Sequence, residues 1–188
     1  MFRTSDCEPR PCAAPRFLVV GCGNSLAGDD SVGLEIVHRL QACGGHDCEF
    51  RELVGGGLGL LDLFDSADTI LLLDAVQTGA PAGTLHLVPL PTADIAPTAL
   101  RTLSSHGWGV DEALRMARVL GRRVPRLMLL GIELESVALG APRTLRVNAA
   151  LETVIEYFQQ LQGALLDNDS SLWSGRHSFP PGGTWRVI

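Results

Sequence analysis

One stretch, residues 16–33 (RFLVVGCGNSLAGDDSVG), limits what this chain can fold into more than any other. Phe17, Leu18, Val19 and Val20 run without a polar break. That pattern suits a strand covered on both faces, as in a parallel sheet. The run ends in a glycine-broken loop over 21–28 and then in two adjacent acids, Asp29 and Asp30. Apolar residues at helical spacing follow at once: Val32, Ile36, Val37 and Leu40. An acid at such a junction caps the helix and complements its positive end. Two in succession is one more than a cap needs. The spare acid sits on a loop at the carboxyl end of a parallel strand, where open α/β sheets build their sites. One of the two is therefore a candidate site residue. Asp29 is expected to cap the helix or to orient Asp30.

The same alternation of strand and helix continues. A second strand is expected over 48–54, then three glycines, 55–57, and a short helix over 58–66. The third strand, 69–75, holds the unbroken run Ile70–Leu73 and ends on Asp74. An acid ending a central strand needs a partner or a metal, because burying its charge is costly. Only 76–83 separates this strand from the next, 84–88, too few residues for a parallel crossover. Strand four should run antiparallel, at an edge, with His86 facing solvent or a covering loop. A proline-bearing loop over 89–103 leads to Ser104, His106 and a helix over 110–121. A fifth strand, 126–132, precedes Glu133 and Glu135, which either line a substrate groove or are solvated; solvation is the expectation. A last helix covers 147–166. The fold class is α/β: three layers, α/β/α, around a twisted, mostly parallel five-stranded sheet with one antiparallel strand. Residues 1–15 read as a flexible N-terminal arm, 16–166 as the domain and 167–188 as a C-terminal tail.

The charge excludes one class of function. The net charge is −6, and all 15 basic residues are arginine. No basic stripe for nucleic acid is present; Arg122, Arg123 and Arg126 are expected to serve a helix end. No apolar run approaches the ~18 residues of a membrane span, and the first residues lack the apolar core of a secretory signal. A cytoplasmic location is expected. The five cysteines, Cys7, Cys12, Cys22, Cys43 and Cys48, read as free thiols, with Cys22 serving as a small apolar residue.

Three words, in order, carry a family resemblance: GCGNSLAGDDSVG at 21–33, LLLDAV at 71–76 and SSHGWGVDEAL at 104–114. Over about 16–161 the chain resembles the hydrogenase maturation proteases, endopeptidases that trim the C-terminal extension from the large subunit of nickel–iron hydrogenases. Two carboxylates and an imidazole suit a borderline divalent ion such as nickel or zinc. The resemblance selects nickel, and places the residues that contact it and carry the reaction at Asp30, Asp74 and His106. It further implies that the nickel is carried by the substrate, with no tightly bound metal in the protease, and that the partner is the large-subunit precursor. An aspartic-type label rests on Asp30 and Asp74 alone. Val54 and Gly57 stand where many members carry an acid and a threonine, so no role passes to those positions. Other readings are a non-cleaving, nickel-dependent chaperone or checkpoint for the large subunit, a homologue with another peptide substrate, and a nucleotide-binding domain. The last is opposed by Leu26 at the third glycine position of GxGxxG and by the Asp29–Asp30 charge. The oligomeric state, the hydrogenase served and the cleavage site are left open.

Overall fold

The computed structural model describes residues 16–44, 48–53, 58–90, 108–166 and 185–187. The strands are β1 (Phe17–Cys22), β2 (Glu49–Leu53), β3 (Thr69–Val76), β4 (Leu85–Leu90), β5 (Arg126–Glu133) and β6 (Trp185–Val187). The helices are α1 (Val32–Cys43), α2 (Leu58–Leu63), α3 (Trp108–Val119) and α4 (Leu145–Leu166). A single 3-10 turn, Gly28–Ser31, leads into α1. The sheet order is β2-β1-β3-β5-β4-β6. β2, β1, β3 and β5 are parallel. β4 runs antiparallel to β5, and β6 is parallel to β4.

The unbroken apolar runs have the burial they implied: every residue of β1 and β3 is buried. Side chains alternate across the sheet, which divides the core into two layers. Val19, Leu71, Leu73, Leu130 and Ile132 pack under α1 and α4, where Ile36, Leu40, Leu151 and Phe158 meet them. Leu18, Val20, Leu72, Leu127 and Leu129 pack under α2 and α3, against Phe64, Ala113 and Ala117. This is the three-layer α/β/α arrangement with its mostly parallel sheet.

Two expectations about β4 are corrected. It is not an edge strand, because β6, a strand from the tail, pairs on its outer side. It also extends through Pro89 and Leu90, which the sequence placed in a loop. Proline fits there because the missing N–H removes one ladder bond near a strand end.

The arginines after α3 serve the far end of the molecule. Arg122 pairs with Asp65, and Arg123 bonds Asp68 and the Ala67 carbonyl. They tie the α3–β5 connection to the loop before β3 rather than neutralise a helix end.

Candidate active site at the carboxyl end of the sheet

Three glycines let α1 begin directly against the ends of β1 and β3. A Cβ on Gly33 would collide with the Leu73 carbonyl oxygen and lie 2.5 Å from that of Cys22. A Cβ on Gly21 would lie 2.5 Å from the Gly33 oxygen. Gly23, at φ +138°, turns the chain where a side chain would strike the Asp30 carbonyl. Only glycine fits so close an approach. The consequence is placement: the 3-10 turn carrying Asp29 and Asp30 lies against β3, whose carboxyl end carries Asp74.

Asp30 and Asp74 are both buried, 4% and 5% exposed. Asp74 takes the Ala75 N–H on Oδ1 at 2.9 Å. The two carboxylates share a neighbour in the Cys22 thiol. Burial chiefly, then the charges of Asp74 and Asp30, push that thiol well above its ordinary range. Cys22 is therefore held as a neutral thiol, in keeping with its reading as a small apolar residue. Two acids separated by 44 positions in the chain thus act on one sulfur. His106 lies outside the described residues, as do Val54 and Gly57. Among the described residues no group of three or more His, Cys, Asp or Glu side chains forms a metal cage.

Asp29 does not cap α1. Ser31, the residue that precedes the helix, stands at its cap, with no side-chain cap bond. Asp29 is completely buried and faces the other way, into the segment that follows β5. Its Oδ2 accepts the Glu135 and Ser136 N–H groups, both at 2.9 Å, and the Thr144 hydroxyl at 3.1 Å. Its Oδ1 accepts the Thr144 N–H at 2.7 Å. Its own N–H donates to the Ser136 carbonyl at 3.0 Å. Four donors on one carboxylate compensate its burial. Asp29 is a strut joining the loop after β1 to the loop between β5 and α4.

The structure also corrects His86 and Glu133. Both are buried, 1% and 2% exposed, and the His86 Nε2 lies 3.0 Å from Glu133 Oε2. Glu133 further accepts the Thr78 and Gly79 N–H groups at 2.7 and 2.8 Å and the Thr78 hydroxyl at 2.8 Å. It is buried because β5 runs one residue beyond the apolar stretch, and because the β3–β4 turn supplies its donors. His86 is buried because β4 is an interior strand. The legible signal was a polar residue interrupting each of the apolar words LHLV and LLGIE. Glu135, by contrast, is exposed, as expected.

The comparisons with known proteins agree with this architecture. A family model described as hydrogenase maturation protease matches residues 35–160. The chain belongs to the hydrogenase maturation protease family. It is 33% identical over 156 residues to the hydrogenase expression/formation protein HupD of Thiocapsa roseopersicina, covering 78% of this chain and 69% of that one. It is 30% identical over 145 residues to the hydrogenase 2 maturation protease of Escherichia coli, covering 75% and 87%. The solved hydrogenase maturating endopeptidase HybD of Escherichia coli superposes with a TM-score of 0.67 at 26% identity, over 82% of this chain and 94% of that one. A maturation protease family with this fold makes the chain a peptidase by membership. No helix among the described residues is long and apolar enough to cross a membrane.

Proposed function

We propose that this protein is the endopeptidase that removes the C-terminal extension of a nickel–iron hydrogenase large-subunit precursor once nickel has been inserted. The observation that carries the reading is the packing of the turn that bears Asp30 against β3, whose carboxyl end bears Asp74, made possible by Gly21, Gly23 and Gly33, in a chain of the maturation protease family. In this reading the precursor's nickel is grasped by Asp30, Asp74 and His106. Two carboxylates offset the charge of a divalent ion, and carboxylate with imidazole suits nickel. Grasping the ion holds the scissile peptide against the sheet end, so orientation is supplied before the reaction begins. A water is then activated by a carboxylate or by the substrate's metal, or the carbonyl is polarised by that metal. An aspartic-type assignment corresponds to the first of these routes.

The test is incubation of the purified protein with nickel-loaded and nickel-free precursor, with the precursor's C-terminus read by mass spectrometry. Loss of the extension only from the nickel-loaded form is the expected result. A stable complex without loss would mean a checkpoint that does not cut. Within the same assay Asp74→Asn should slow cleavage by about 30- to 1000-fold, corresponding to ~2–4 kcal/mol of lost transition-state stabilisation. Trimming at the wild-type rate would remove Asp74 from the mechanism.

A further inference from the structure

Taking the large-subunit precursor to be the substrate, as above, we propose that Leu26, Val137 and Leu139 form an apolar docking surface beside Asp30. Its occupant is an apolar segment of the precursor next to the scissile bond.

Among the described residues seven large hydrophobic side chains are exposed. Met116, Val119 and Leu120 lie at the end of α3, beside the arginines at the far end of the molecule. The other four, Leu26, Val137, Leu139 and Leu145, all belong to the loop after β1 or to the segment that leads from β5 into α4. Single apolar side chains are normal on a surface, whereas a group of them in one place marks an interaction site.

Backbone contacts fix this group. The Gly140 N–H donates to the Leu26 carbonyl at 2.8 Å, which sets Leu139 next to Leu26. A Cβ on Gly28 would lie 2.9 Å from the Ser136 carbonyl oxygen and 3.5 Å from that of Ala138, so 136–138 run against the same loop. Asp29 ties the two segments together. The loop also closes on the acid beside it. The Asn24 N–H donates to the Asp30 carbonyl at 3.3 Å, and the Asp30 N–H donates to the Ala27 carbonyl at 3.0 Å. Leu26 is thus carried on the same closed turn as Asp30.

Leu26 and Leu139 are 68% and 78% exposed, so the fold gains little from their being apolar. Their loops are already ordered by their own bonds, and a partner that covers them gains the burial without first ordering the chain. The net charge of −6 disfavours an anionic membrane, and it disfavours a second copy of the same charge. A second copy seated here would also cover the acid. A peptide whose scissile bond must lie at Asp30 passes these side chains in reaching it.

The experiment compares the full-length wild type with Leu26→Gln, Leu139→Gln and the double variant on nickel-loaded precursor. Kd, kcat, KM and Tm are measured for each, with Val119→Gln/Leu120→Gln as a control at the far end of the molecule. The expected result for the double variant is Kd and KM raised about tenfold or more, with kcat within about twofold. Its Tm should stay within about 2 °C of wild type, since exposed side chains are exchanged. The control should bind like wild type, and so should Leu26→Met/Leu139→Met, which keeps the surface apolar. Wild-type Kd in the glutamine double variant overturns the inference. So does an equal loss in the control, a loss of kcat with Kd unchanged, or a wild-type dimer in sedimentation that the double variant dissociates. Precursor binding that follows the expected pattern without loss of the extension refutes the cleavage reaction and leaves the surface standing. Cleavage by the wild type, matched by the double variant at precursor concentrations below KM, refutes the surface alone.

Discussion

Asp29 and Asp30 are adjacent and chemically alike, yet the structure gives them opposite work, and Asp29→Asn separates the two. In the native protein the Asp29 carboxylate accepts four hydrogen bonds from Glu135, Ser136 and Thr144. The best placement of an asparagine puts its oxygen at the Oδ2 position, where three donors converge. Those three bonds pass from charge-assisted to neutral, a loss of about 1 kcal/mol each. The amide nitrogen then faces the Thr144 N–H, two donors toward each other, which costs about 1–3 kcal/mol more. The total is about 4–6 kcal/mol, a large fraction of a typical domain's stability. For a chain of this length, at about 2–4 °C per kcal/mol, that lowers Tm by roughly 8–24 °C. Scanning calorimetry measures the shift directly. Cleavage by Asp29→Asn, assayed well below its Tm, should stay within about threefold of wild type, since the strut does not face the reaction. Asp30→Asn should instead bring cleavage down by orders of magnitude. A Tm for Asp29→Asn within about 2 °C of wild type would refute the strut, since even one lost bond of this kind shifts Tm by more. Loss of cleavage in Asp29→Asn with an unchanged Tm would move it into the reacting site.

Gly33→Ala should cost about 1–3 kcal/mol, because the new Cβ meets the Leu73 and Cys22 carbonyls, which are backbone and cannot swing aside. As α1 backs away, Asp30 leaves Asp74, so denaturant melts should show the stability loss and the precursor assay a larger rate loss than the melt explains. At pH 8 iodoacetamide should label the exposed Cys43 in the native protein and leave Cys22 intact until denaturant is added, since burial and two nearby carboxylates hold Cys22 as a thiol. Peptide mapping reads the difference. Asp68 has its carboxyl lowered from the ordinary range, first by the Arg16 N–H and then by the Arg123 guanidinium. Its contribution is therefore present above about pH 4, the unfolded-state value, and is lost as pH falls through the lower folded value. Asp68→Asn should destabilise modestly at pH 7, and the difference from wild type should shrink toward zero in melts carried to pH 2–3.

Much of the fold was legible because its strands are written as buried words. FLVV and ILLL have no polar face, which ruled out a half-solvated sheet, and the short link over 76–83 ruled out a parallel fourth strand. The edge placement of β4 failed for a non-local reason: the strand that covers it comes from residues 185–187, almost a hundred positions away, and nothing local announces that pairing. His86 and Glu133 were misplaced for the same reason. A residue's burial depends on what lies across the sheet, and a polar side chain is read as exposed unless its buried partner is known. The doublet was read correctly as containing one acid too many. Which partner each acid finds depends on the loop at 134–144, more than a hundred residues downstream.

Among the described residues four carboxylates are buried, Asp29, Asp30, Asp74 and Glu133. Asp29 and Glu133 are each surrounded by four donors and hold loops: Asp29 the segment after β5, Glu133 the turn after β3. Asp30 and Asp74 lie at the carboxyl ends of β1 and β3, each bearing electrostatically on the buried Cys22 thiol. In the proposed reading, the negative charge of these carboxylates would be offset by the divalent cation that the substrate brings. In that reading the struts Asp29 and Glu133 hold the loops, and Asp30 and Asp74 are left to meet the cation. If the cation arrives inside the precursor, the scaffold distinguishes a nickel-loaded substrate from an empty one by charge alone, before any peptide side chain is read. Asp30→Asn and Asp74→Asn should therefore erase the preference for nickel-loaded precursor in equilibrium binding, while Asp29→Asn keeps it at temperatures where the protein is folded. Retention of the preference in both Asp30 and Asp74 variants would mean that nickel is sensed elsewhere.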